Sequence, residues 1–221
     1  MSRRYLLGML GRVVLAFAVM AVLVYRWPSV WIRMLAPVTQ GLTAASFPYV
    51  EGVVMRAEGA SLRIEGAIAL DLTMTNGQPL PAAPGVWSRG AGTTLNLLVI
   101  GMAVFAAPSV RWRDRLRGVP VLVAGLLVVA AFHLSVEVQE AALRHLGYQW
   151  LPTLPLAGTE ANAVYFQSME QRFRVVAWIK SFNDAGGAMF LAVLAGLLGY
   201  AATGGWRLPR AVAAMNTPRG E

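Results

Sequence analysis

His133, Glu137, Glu140 and Arg144 are spaced i, i+4, i+7 and i+11, so a helix carries all four on one face. An imidazole and a carboxylate one turn apart can pass a proton or share a metal ion. Ionisable groups at the edge of an apolar run are functional suspects in their own right. The candidate catalytic residues are therefore His133, Glu137 and, from a later segment, Asp184; His133 and Glu137 are also the candidate metal ligands. The competing reading keeps Glu137, Glu140 and Arg144 in water, with His133 hydrogen-bonded to a neighbouring helix or to Glu137. No second ligand cluster such as H-x-x-x-H accompanies them. His145, the other histidine, lies on the same extended helix and is badly placed to close a metal site with His133. Asn183 and Asp184 read either as part of a polar external site or as a helix-ending turn before Gly186 and Gly187. The chain has no cysteine, which excludes disulfides, thiolate metal sites and cysteine nucleophiles. No phosphate-binding glycine loop, nucleophile elbow or haem-attachment motif is present, so no cofactor is expected.

The elements that must position these residues are set by an arginine cluster. Residues 108–118 read P-S-V-R-W-R-D-R-L-R-G and place Arg111, Arg113, Arg115 and Arg117 between two apolar runs, 91–107 and 119–136. At about 1.5 Å per helical residue, each run approaches the roughly 30 Å hydrocarbon core of a bilayer. Four guanidinium groups in a short loop hold that loop in the cytoplasm, which orients the rest of the chain.

The composition agrees with a membrane protein. Of 221 residues, 57% are hydrophobic and only 14% charged, well below the charged fraction of a soluble domain. The net charge of +8 raises nucleic-acid binding, but the basic residues flank apolar runs and make no single soluble face, so no nucleic-acid partner is expected. The opening residues, with Arg3, Arg4 and Arg12 before an apolar run, resemble an export signal. The only A-x-A, residues 16–18, lies inside that run, so an uncleaved first span is expected. Arg26, Trp27 and Trp31 suit the outer interface, and residues 31–47 an interfacial helix ended by Pro48.

In the external segment the hydrophobic period changes to two. Leu62, Ile64, Ile68, Leu70, Leu72 and Met74 alternate with polar residues, predicting a strand over 62–74 with one buried face. A turn at Glu58-Gly59 pairs it with an earlier strand near 50–56, and residues 75–90, rich in Pro and Gly, read as an irregular loop. A lone hairpin is marginal in water, so its apolar face is expected to meet a membrane-facing helix or a partner. Pro120 suits the first turn of the third span, whose helix continues to about residue 147. Residues 160–182 predict an external amphipathic helix with Phe166, Met169, Phe173 and Val176 on one face. Residues 180–187 form the corner into the fourth span, where Ala188, Ala192 and Gly196 make a small-residue packing face. Asn96, inside the second span, reads best as an interhelical hydrogen-bonding residue.

The expected fold is an α-helical membrane protein with four transmembrane helices and both termini cytoplasmic. It carries a small external β-hairpin and an external amphipathic helix. The first span is 1–25, the external hairpin segment 26–90, the second span 91–107 and the arginine loop 108–118. The third span is 119–136, the external helical segment 137–185, the fourth span 186–203 and the cytoplasmic tail 204–221. On that division the inside carries ten Arg against two acidic residues, while nine basic and nine acidic residues balance outside.

One apolar span, an external two-stranded segment containing V-E-G-V, and a span pair joined by A-A-P-S-V-R-W-R-D-R-L-R-G resemble the small membrane proteins encoded beside exosortase H. The resemblance covers about residues 1–150. It implies a bacterial inner-membrane protein linked to protein sorting, with no established catalytic role and no functional residues to carry over. Exosortases themselves depend on a cysteine, so the resemblance does not make this chain the enzyme. The reading it favours is a non-enzymatic accessory subunit in the bilayer, with one or more membrane-protein subunits as partners. Leu62, Ile64, Ile68, Leu70 and Leu72 on the strand, and Phe166, Met169 and Phe173 on the external helix, are the expected partner-binding residues. The alternative is a membrane enzyme with an external site built on His133 and Glu137.

Overall fold

The computed structural model describes residues 3–106, 112–146 and 151–205. Among them run α1 (Arg3–Arg26), α2 (Pro28–Ser46), β1 (Val50–Glu58), β2 (Ser61–Ile68), β3 (Ala83–Gly90), α3 (Gly92–Ala106), α4 (Trp112–Arg144), α5 (Glu160–Phe182) and α6 (Ala188–Tyr200). Two helical stretches, Arg113–Arg144 and Glu160–Thr203, are long and apolar enough to cross a membrane. A third counts if α1 and α2 are one broken span; they meet at a 79° bend. The bend has a local cause. Pro28 opens α2 without an N–H to donate, and the residue before a proline is driven out of the helical region, as Trp27 is at φ −131°. α3, with 15 residues, is apolar but shorter.

Helices α1, α3, α4 and α6 lie side by side and alternate in direction in chain order, so that α3 and α6, which touch, run parallel. The Tyr25 hydroxyl at the end of α1 donates to Asn96 Oδ1 near the start of α3, at 2.6 Å. Gly118 early in α4 abuts the Gly199 carbonyl late in α6. From Val13 to Tyr25, α1 is apolar on all sides, with Val14, Leu15 and Val22 each at least 60% exposed, as a lipid-facing helix is. The contact between α3 and α6 depends on absent side chains. A methyl group at Gly196 would lie 2.5 Å from the Gly101 carbonyl oxygen, and one at Gly101 would lie 2.9 Å from that of Ala192. Ala188 and Ala192 are buried along the same face.

At the other end sits an antiparallel sheet in the order β1-β2-β3, where the sequence reading had two strands. The third strand occupies residues read as a loop. Pro84, Gly85 and Gly90 obscure its alternation, and an edge strand tolerates proline where a central one does not. β2 is also shorter than predicted, ending at Ile68. Leu70 and Leu72 keep their buried phase in a second tight turn, where Leu80 N donates to Leu72 O and Gly77 takes φ +77°. That turn is tied to the segment before α5 by Thr75 N to Pro155 O at 2.9 Å and Ala157 N to Thr73 O at 3.0 Å.

Two further expectations are corrected. The arginine segment is no loop over residues 112–118: Arg113, Arg115 and Arg117 stand on the first turns of α4, and Arg111 lies outside the described residues. Pro120 accordingly sits inside α4 and not at its start. At the corner expected over residues 180–187, Gly186 does leave the helical region, at φ +101°, and a π turn over Asn183–Gly187 links α5 to α6 across a kink.

Candidate functional site

The sheet register decides which residues meet the outer end of α4. In antiparallel pairing, opposed residues share a face, and Trp87 and Arg89 of β3 oppose Ile64 and Leu62 of β2. Ile64 and Leu62 are buried, so Trp87 and Arg89 point inward with them. Trp87 packs edge-on against His145, with ring centroids 6.4 Å apart. Arg89 reaches two carboxylates on α4: Nη2 donates to Glu137 Oε2 at 2.9 Å and to Glu140 Oε2 at 3.3 Å.

The network extends in both directions. Arg144, one turn beyond Glu140 on α4, pairs with Glu140 Oε1. Lys180 of α5 donates to Glu137 Oε1 at 2.8 Å and is shared with Asp184, one turn on, at 3.1 Å. Three cations and three carboxylates thus join β3, α4, α5 and the turn into α6 as a neutral unit. Burial makes the pairing necessary, because the side chains of Glu140, Glu137 and Lys180 are only 5%, 18% and 21% exposed. A charge so withdrawn from water is tolerated only with a partner.

His133 shares this helix face and lies beside the network without joining an ion pair. It is 3% exposed, and its Nδ1 is buried without a hydrogen-bond partner. Asn183, 6% exposed, buries both side-chain amide atoms in the same unpartnered state. Of the expected catalytic set, Glu137 and Asp184 are therefore brought together by Lys180, with both oxygens of Glu137 already accepting from cations. Among the described residues, no three His, Asp or Glu side chains gather to hold a metal ion, and the expected ligands His133 and Glu137 find no third.

The expected partner-binding residues are differently placed. Leu62, Ile64, Ile68, Leu70 and Leu72 are each at most 5% exposed and lie in the chain's own core with Ile32 and Leu35 of α2. Phe166, Met169 and Phe173 pack against that core and are half-buried. The apolar strand face is thus covered internally, since α2 lies across β1 and removes it from water.

Several positioning residues escaped the sequence reading. Asn162 is 3% exposed; its Nδ2 donates to the carbonyls of Thr73 and Ala157, each at 2.8 Å, and its Oδ1 accepts from Thr73 N at 3.0 Å. It fastens the first turn of α5 to the turn after β2. Thr159 caps the same helix by accepting from Asn162 N. Between α2 and α4, Gln139 Nε2 donates to Ser46 Oγ at 2.8 Å and Ser135 Oγ at 3.1 Å, and Thr43 and Ser135 share a 3.0 Å hydrogen bond. At the opposite end, Arg115 Nη2 donates to the Ala106 carbonyl at 2.9 Å and so closes α3. Arg89 carried no local signal, because its carboxylates lie 48 and 51 residues away. No protein-family model matches the chain, and comparison with curated proteins and with solved structures finds no match.

Proposed function

We propose that this chain is a non-enzymatic accessory subunit of a bacterial inner-membrane complex, with α1, α3, α4 and α6 as four crossings and both ends in the cytoplasm. The alternation of α1, α3, α4 and α6 in chain order supports that topology, as do Arg113, Arg115 and Arg117 at one end of the bundle and the neutral ion-pair network at the other. The observation that carries the accessory reading is the commitment of Glu137, Glu140 and Asp184 to cations of the same chain. Carboxylates paired in this way brace elements against one another, and Glu137 and Glu140 are withdrawn from any substrate.

The surface offered to a partner is then the outer face of the sheet. Val54, Glu65 and Val86 form one cross-strand row there, and Val54 and Val86 are 40% and 61% exposed. β1 and β3 flank β2 as edge strands, the usual sites of strand addition. A link to exosortase-type sorting rests on the sequence resemblance alone. Purification of the full chain in mild detergent should recover a stoichiometric membrane partner; repeated recovery of a lone monomer or homo-oligomer would defeat the proposal.

A second reading, an enzyme with an external site, is favoured by one observation: the unpartnered polar atoms of His133 and Asn183, buried beside a charge network. His133→Ala should then abolish function at unchanged protein level. An unaffected phenotype removes this reading.

A further inference from the structure

A cavity of about 590 Å³ opens between α2, α4 and α5, on a different face of α4 from the ion-pair network. Its volume falls within the roughly 300–1,000 Å³ of small-molecule sites. α4 and α5 run antiparallel here, since Glu137 meets Lys180 while Gln139 lines the cavity with Arg172. The lining is consequently graded along both helices. Ser46, Gln139 and Arg172 stand at one end; Phe132, Val175 and Ile179 stand at the other, toward the apolar length of α4 and α6. From Phe132 to Gln139 this change from apolar to polar takes about 10 Å of helix. Phe132 and Val175 are 39% and 57% exposed, so the apolar end is open at its side.

Arg172 is the only charged residue in this lining. Its Nη1 donates to the Ser46 carbonyl at 3.3 Å, and its guanidinium lies 5.8 Å from the centroid of the Tyr49 ring. Among the described residues it makes no ion pair, in contrast to the cations of the network. Glu51 and Asp71 line a neighbouring cavity with Arg172 but form no ion pair with it. A guanidinium left without an ion pair at the edge of an apolar slot about two turns deep matches a molecule with an anionic head and a hydrocarbon tail. A free phosphate would leave the slot empty, and an apolar protein helix would leave the charge unmatched.

We propose that this cavity binds one anionic phospholipid of the surrounding membrane, its phosphate on Arg172 and one acyl chain along Phe132, Val175 and Ile179. The inference requires the outer end of α4 to lie at a membrane surface, and it holds with or without a protein partner. The test is native mass spectrometry of the full chain released from mixed micelles containing phosphatidylglycerol and phosphatidylcholine of identical chains. The wild type should retain a single phosphatidylglycerol in preference to phosphatidylcholine, and inorganic phosphate should not displace it. Arg172→Gln should lower retention about tenfold, the scale of one charge-assisted hydrogen bond. Val175→Trp, which fills the slot and keeps the charge, should abolish retention, with size-exclusion profiles confirming that both variants are folded. Bare wild-type protein, equal retention of the two lipids, displacement by phosphate, or undiminished retention in Arg172→Gln would each overturn the proposal. The wild-type preference is read without any variant, so a misfolded mutant leaves the test intact.

Discussion

The two ends of this molecule are held together by different chemistry. Around Gly101, Gly118, Gly196 and Gly199, helices approach until backbone meets backbone, with no charged side chain between them. Around Glu137, the same α4 is joined to its neighbours by ion pairs, and around Asn162 and Gln139 by side-chain hydrogen bonds. The environment accounts for the difference. Against lipid, burying an apolar side chain on another helix gains little, so close packing of small residues must supply the attraction. At the outer end, sheet and helices present charges and backbone polar groups that must be paired once withdrawn from water.

Substitutions can break this contrast at each end. The largest effect is expected at the small-residue contact. Gly196→Leu would drive a side chain into the Gly101 carbonyl and Val104 and should cost about 3 kcal/mol, measured as unfolding in mixed micelles, with no added dependence on salt. Next comes Glu137→Ala, which leaves Lys180 and Arg89 short of a counter-charge. A cost of about 2–3 kcal/mol is expected, at the low end for buried pairs because Arg89 is partly solvated. Thermal unfolding of Glu137→Ala and wild type across a salt series checks it; equal stability would mean the network is decorative. The smallest effect belongs to Tyr25→Phe, which removes one hydrogen bond to Asn96 and should cost about 0.6 kcal/mol in the same micelle assay. A loss several times larger would show that α1 is held to α3 by polar contact more than by packing.

Legibility followed the range over which each cause acts. The apolar runs, the small-residue stripe through Ala188, Ala192 and Gly196, and the buried phase of Leu62, Ile64 and Ile68 repeat within a few residues, so they could be read directly. β3 could not, because Pro84 and Gly85 imitate a loop and only the edge beside β2 makes them a strand. The helix face of His133, Glu137 and Glu140 was visible from spacing, while its meaning was not. Spacing cannot say that Arg89 arrives from a strand and Lys180 from another helix.

What the residues determined unaided was a mostly helical chain whose apolar stretches suit a membrane, since hydropathy and helical period are local properties of the polymer. Tertiary structure alone decided that the strand's apolar face is covered by α2, that Glu137 is bound by two cations, and that Arg172 borders an apolar slot. Those outcomes depend on which distant segments come to share a small volume. That choice is made by register and packing among whole elements, and no short window of sequence contains it.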